Sequence, residues 1–190
     1  MTTAALTDFR PAAQPLALPV AAGRVLVLAG AVFASANLFQ YGLQSGHLPL
    51  HPAALALSWP LALTVFFTGL ARIRRSGGEA TKRVAGWSRA VIGLTAGSAL
   101  ILAALSATTG DWALMRWTSV VSLALYGGGW SVAALRAGGF NTIALAAIAF
   151  LGAAALAFRI GSADQYVIQS AALALVALLP GLWLAAGRRL

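Results

Sequence analysis

The sequence predicts an all-α fold: a polytopic membrane protein whose six transmembrane helices form three antiparallel hairpins, with both termini inside. Three observations carry this reading. The 190-residue chain is 60% apolar and 9% charged, far from the balance of a soluble globular domain. Six stretches each hold about twenty largely apolar residues, enough to cross the hydrocarbon core of a bilayer. Of the 13 Lys and Arg residues, all but Arg116 and Arg159 gather at the termini and in every second gap between those stretches, and gaps rich in such residues stay cytoplasmic.

Residues 1–23 read as a flexible cytosolic tail. Pro11, Pro15 and Pro19 deny it a stable helix, and it holds no apolar run long enough for a signal-peptide core. The bundle then occupies 24–190. Its first span, 24–43, leads into the turn SGHLPLHP, and the second, 53–72, returns to Arg72, Arg74 and Arg75. The longest and most basic gap, IRRSGGEATKR, follows; it holds Lys82 and Arg83, and Arg89 lies at the start of the third span, 87–107. TTGDW precedes the fourth span, 114–135, which ends at Arg136. IGSADQ joins the fifth span, 140–159, to the sixth, 166–186, and the chain closes on Arg188 and Arg189. Gaps this short make consecutive helices antiparallel neighbours.

Charge and aromatic residues orient the bundle in a bacterial-type inner membrane. Arg10, Arg24, the cations from Arg72 to Arg89, Arg136 and the C-terminal pair fall inside; Arg116 and Arg159 fall outside. Tyr41, Trp59, Trp112, Trp117 and Tyr166 mark the outer boundary and Trp87 the inner one, as aromatic belts do. Each hairpin also returns through an aromatic residue to an arginine, by LTVFFTGLARIRR, GGGWSVAALR and PGLWLAAGRR. Shared topology rules explain that likeness, and so does a true threefold repeat of the kind found in transporters.

In lipid, helices associate through close backbone approach. Gly86, Ala90, Gly93 and Gly97 supply such a seam on the third helix, with Gly93 and Gly97 in a GxxxG pair; Gly30, Ala34, Gly152, Gly181 and Ala185 supply others. These faces suit neighbours within the bundle, other membrane subunits or a second copy. Three successive glycines, Gly127 to Gly129, weaken the fourth helix by about 1 kcal/mol each relative to alanine, so a close neighbour or a ligand is expected beside them. Pro180 removes a backbone bond from the sixth helix and predicts a kink near Val176.

No Asp, Glu, Lys, Arg or His falls near mid-membrane. Proton-coupled transport, charged-ring conduction and voltage sensing use such residues, so the pattern argues against all three. Lys82, the one lysine, sits in a gap and removes a retinal Schiff base, while two histidines at the outer edge do not suit a haem held between helices. No phosphate loop, nucleotide fingerprint or metalloprotease motif occurs. Nucleic acid is excluded as a partner because the cations sit at helix ends instead of along one groove. They suit membrane lipids with anionic headgroups: Arg72, Arg74, Arg75, Lys82, Arg83 and Arg89 form that candidate site, at about 1 kcal/mol per cation. A pure topology signal, or a dock for an acidic cytosolic partner, accounts for the same residues.

Neutral polar residues align in stripes. Asn37, Gln40 and Gln44 share a face of the first helix, Thr95, Ser98, Ser106 and Thr109 a face of the third, and Ser119, Ser122 and Tyr126 a face of the fourth; Gln165 and Gln169 open the sixth. Amides left unpaired in hydrocarbon are costly, so these groups must face one another or water. One reading is a set of interhelical hydrogen bonds, each contributing about 0.6 to 2 kcal/mol. The other is an outward vestibule in which Asn37, Gln40, Gln44, Ser122, Tyr126, Trp130 and Gln169 bind a small neutral or amphipathic molecule.

His47 and His51 have the i, i+4 spacing of helical metal ligands, yet Pro49 and Pro52 oppose a helix there. The simpler expectation is a solvated turn, with Asp111 near Arg116 and Asp164 near Arg159 in weak surface pairs. Ser45 stands close to His47, but no acid is placed to orient the imidazole. These features predict a non-enzymatic accessory or assembly subunit that binds partner proteins, lipid or an apolar cofactor. The alternatives are a carrier or channel for a small neutral solute, using the vestibule, and a membrane sensor signalling through the tail or the basic gap.

Overall fold

A computed structural model describes residues 18–51, 53–76, 78–137 and 140–190. The predicted tail up to residue 17, Pro52 and the Trp87 side chain lie outside the described residues. Every regular element among the described residues is helical, and six helices are long and apolar enough to cross a membrane. The first, α1, covers Leu18–Gln44 and so starts ahead of the predicted boundary at residue 24. Pro19 lies in its first turn, where a missing N–H breaks no bond and the fixed φ favours helix entry. Residues 18–23 therefore belong to the helix and not to a flexible tail.

α2 covers Ala54–Ser76 and α3 covers Gly78–Thr109. The basic gap is thus largely helix, a second departure from the sequence reading. Glu79, Ala80, Lys82 and Arg83 are good helix formers, and Glu79 stands in the first turn of α3, where the helix dipole favours an acid. Lys82 Nζ donates to Glu79 Oε1 at 2.5 Å. Gly78, at φ +68°, takes the left-handed conformation that glycine adopts at little cost.

α4 (Trp117–Ala137) is entered through a 3-10 turn at Trp112–Arg116. Asp111 caps that turn, its Oδ1 accepting from the Ala113 N–H at 2.9 Å. α5 covers Phe140–Phe158. The last span has three pieces: α6 (Asp164–Leu173), a π-helical turn (Ala174–Leu178) and α7 (Leu179–Ala185). Pro180 offers no N–H to the carbonyl of Val176, four residues back. The helix widens ahead of it, and the Leu179 N–H donates five residues back, to Ala174 O.

Two apolar clusters form the interior. One joins Val25 and Ala29 of α1 to Phe66 and Leu70 of α2, with Val84 and Ile92 of α3 against them. The other joins Leu123 of α4 to Ala149, Ala153 and Leu156 of α5 and to Ala172 and Val176 of the last span. α1 links the two, because its glycines lie against the backbone of that last span. A Cβ on Gly30 would come within 2.6 Å of Leu178 N, and one on Gly181 within 2.6 Å of Val27 N. Only glycine permits such an approach.

Candidate functional site

On α1, Gln40 Nε2 donates to Ser58 Oγ of α2 at 2.9 Å, and the Ser58 hydroxyl donates to Leu55 O at 2.8 Å. Gln44 Nε2 donates to Tyr166 Oη of α6 at 3.0 Å. Asn37 is fully buried, and its Nδ2 donates within α1 to Phe33 O at 2.7 Å. On α6, Gln169 Nε2 reaches Ser122 Oγ of α4 at 3.2 Å, and Ser122 in turn donates to Ser119 O. Gln165 Oε1 accepts from the Gly161 N–H at 3.1 Å, closing the turn before α6. The α3 stripe turns back on its own helix: Thr95, Ser98 and Thr109 donate to the carbonyls of Val91, Leu94 and Leu105, each four residues earlier, a common outlet for hydroxyls inside helices.

Of the seven residues assigned to a vestibule, the structure gathers four on α4 and the last span: Ser122, Tyr126, Trp130 and Gln169. Gln40 belongs instead to the α1–α2 contact and Gln44 to the α1–α6 contact. A groove of about 530 Å³ does exist, but it lies between α1 and α2, is lined by such residues as Ser35, Phe39, Leu57 and Leu61, and includes none of the seven.

Trp130 has a definite partner. Its indole N–H donates to Val176 O at 2.9 Å, 46 positions along the chain. That carbonyl is the one Pro180 leaves without its ordinary helical donor, so an α4 side chain supplies what the proline withholds. The four-residue offset from Pro180 to Val176 marks that carbonyl in the sequence, but nothing local marks Trp130 as its donor. Ser170 was not singled out from sequence at all. Its Oγ donates to Ala34 O at 2.9 Å, tying α6 to α1 on the seam that holds Gly30.

The histidine turn is held by local bonds. Ser45 Oγ lies 2.7 Å from Tyr41 O and 2.5 Å from His47 Nδ1. The hydroxyl donates to the Tyr41 carbonyl, which can only accept, and the His47 ring nitrogen beside it closes the turn. His51 Nδ1 accepts from the Ala53 N–H at 3.2 Å. Among the described residues no three His, Cys, Asp or Glu side chains group as a metal site.

Asp164 and Arg159 pair across 3.8 Å. The expected Asp111–Arg116 pair is replaced by two other contacts. Asp111 caps the 3-10 turn, and the Arg116 guanidinium lies over Gly161, where a Cβ would meet Nη1 at 2.7 Å. Glycine at φ +89° serves both the turn and the arginine.

Glycines divide into filled and open positions. Gly127 abuts the Phe150 ring of α5, and Gly152 abuts Leu123 and Ala172. The close neighbour expected beside the triple glycine thus exists for Gly127; Gly128 and Gly129 meet nothing within 4 Å. Gly86, Gly93 and Gly97 of α3 also meet nothing within 4 Å. They share one face of the helix with exposed Ala90, Leu100 and Ile101, opposite the buried face that carries Thr81 and Ser106.

These features define an all-helical bundle of six helices long and apolar enough to cross a membrane, with side-chain hydrogen bonds between helices. No protein-family model, curated protein or solved structure matches the chain.

Proposed function

We propose that this chain is a non-enzymatic multi-pass protein of a bacterial-type inner membrane, with both termini cytoplasmic, and that it acts as an assembly subunit by docking a transmembrane helix of a partner against α3. The observation that carries this reading is the open small-residue face of Gly86, Ala90, Gly93 and Gly97. Several helix glycines elsewhere are occupied, Gly23 and Gly30 by the last span, Gly181 by α1 and Gly152 by Leu123, although Gly128 and Gly129 of α4 are open as well. The exposed face of α5 carries large side chains instead, such as Leu151 and Phe158. A lipid-facing row of glycines gains nothing from hydrocarbon, whereas a second helix can approach its backbone closely.

The stripe amides support the same reading, since Gln40, Gln44 and Gln169 bond to other helices. The test is the size of the complex extracted from native membranes in a gentle detergent. Wild type is expected to run as a discrete assembly larger than the monomer, and Gly93→Leu/Gly97→Leu as the folded monomer. A monomeric wild type, or an assembly unaffected by the double substitution, would refute the docking face.

A further inference from the structure

At the basic end of α2, Thr68, Ala71, Arg72 and Arg75 fall on one face at i, i+3, i+4 and i+7. With Phe67 they line a cleft of about 500 Å³. Along the helix axis its lining runs from exposed Phe67 through Thr68 and Ala71 to Arg72 and Arg75, all five on α2. From Thr68 to Arg75 this covers about 10 Å at the rise of an α-helix. Arg74 stands in the same last turn but outside the cleft. Cations at a helix C-terminus offset the dipole wherever they point, so the dipole explains all three arginines alike and does not explain why two share a cleft with Phe67 and Thr68.

We propose that this cleft binds one anionic phospholipid: its acyl chain lies along Phe67 and Ala71, and its phosphodiester sits between Arg72 and Arg75. Guanidinium groups present planar pairs of donors that match phosphate oxygens. The Thr68 hydroxyl lies at the level of the lipid ester groups, and the short Ala71 side chain leaves room for the lipid to approach the helix. The occupant is a lipid and not a free phosphate compound because the cationic part of the cleft continues into its apolar part. The site is a sharper claim than a general affinity of six cations for a charged surface. It rests on the bilayer reading but is independent of the α3 docking face.

The full chain in detergent, mixed with equal phosphatidylglycerol and phosphatidylcholine of identical acyl chains, tests this by native mass spectrometry of the retained lipid. Wild type is expected to retain phosphatidylglycerol selectively. Arg72→Gln and Arg75→Gln should each lower that selectivity about fivefold, while Arg74→Gln, an identical loss of charge one residue away, should leave it within about twofold. Ala71→Leu keeps every cation and fills the cleft, and should also lower selectivity. Glycerol phosphate added in excess should not displace the lipid. Equal effects of Arg74→Gln and Arg75→Gln, unchanged selectivity in Ala71→Leu, or displacement by glycerol phosphate would each overturn the site. Release of the chain from membranes by alkaline carbonate without detergent would instead refute the bilayer reading, and the site with it.

Discussion

A single hydrogen bond shows how residue-scale chemistry shapes the last span. Pro180 withholds one N–H, the helix rewinds to π geometry over Ala174–Leu178, and the Trp130 indole donates to Val176 O. Trp130→Phe keeps the ring and removes the donor, and should lower the stability of the detergent-solubilised protein by about 1 kcal/mol, the net worth of a typical hydrogen bond. Pro180→Ala restores a backbone donor four residues from Val176, so in that background Trp130→Phe should have little effect. Thermal unfolding of the four proteins in a double-mutant cycle reads the coupling; simple additivity would contradict the account. The proline's effect was legible in the sequence, because a missing donor is a property of one residue. The identity of the replacement donor was not, since it comes from a different helix. For the same reason Gln40, Gln44 and Gln169 were recognisable as groups that need partners, while Ser58, Tyr166 and Ser122 were not assignable as those partners.

Glycines that look alike in sequence differ sharply once they are placed on their helices. Gly30 and Gly97 both sit in long apolar helices, yet one faces the backbone of Leu178 and the other faces open space. Gly30→Val should therefore destabilise the protein by about 1 to 3 kcal/mol or more, because the atoms it meets are backbone and cannot swing aside. Gly97→Val should stay within about 0.5 kcal/mol in the isolated monomer. Thermal melts in one detergent compare them, and equal destabilisation would contradict the assignment of α3's outer face. Hydropathy gave the six spans closely, because the need for about twenty apolar residues is local. It misplaced their polar ends for an equally local reason. Leu18 to Gly23 and Gly78 to Gly86 belong to helices, but helix propensity and the capping role of a first-turn proline govern those ends, not transfer to lipid.

At the scale of the whole molecule, one apolar cluster lies in α1 to α3 and the other in α4 to the last span, and α1 couples them through glycine contacts and the Ser170–Ala34 bond. The orientation proposed above rests on charge. The chain contains no cysteine, so single cysteines report it cleanly. A membrane-impermeant maleimide should label Gly46→Cys and Ser162→Cys from outside, and Lys82→Cys and Arg189→Cys only after the membrane is opened; the reverse pattern would invert the topology. The central claim is that α3 presents a face built for another helix. Photo-crosslinking side chains at Leu100 and Ile101, beside Gly97 and 71% and 64% exposed, test it most directly when compared in native membranes with the same group at Leu61 on α2 and Phe158 on α5. The account predicts a discrete protein adduct from the two α3 positions, its mass distinguishing a second copy from a different subunit, and only lipid adducts from α2 and α5. Lipid adducts alone from all four positions, or the same protein adduct from all four, would contradict it.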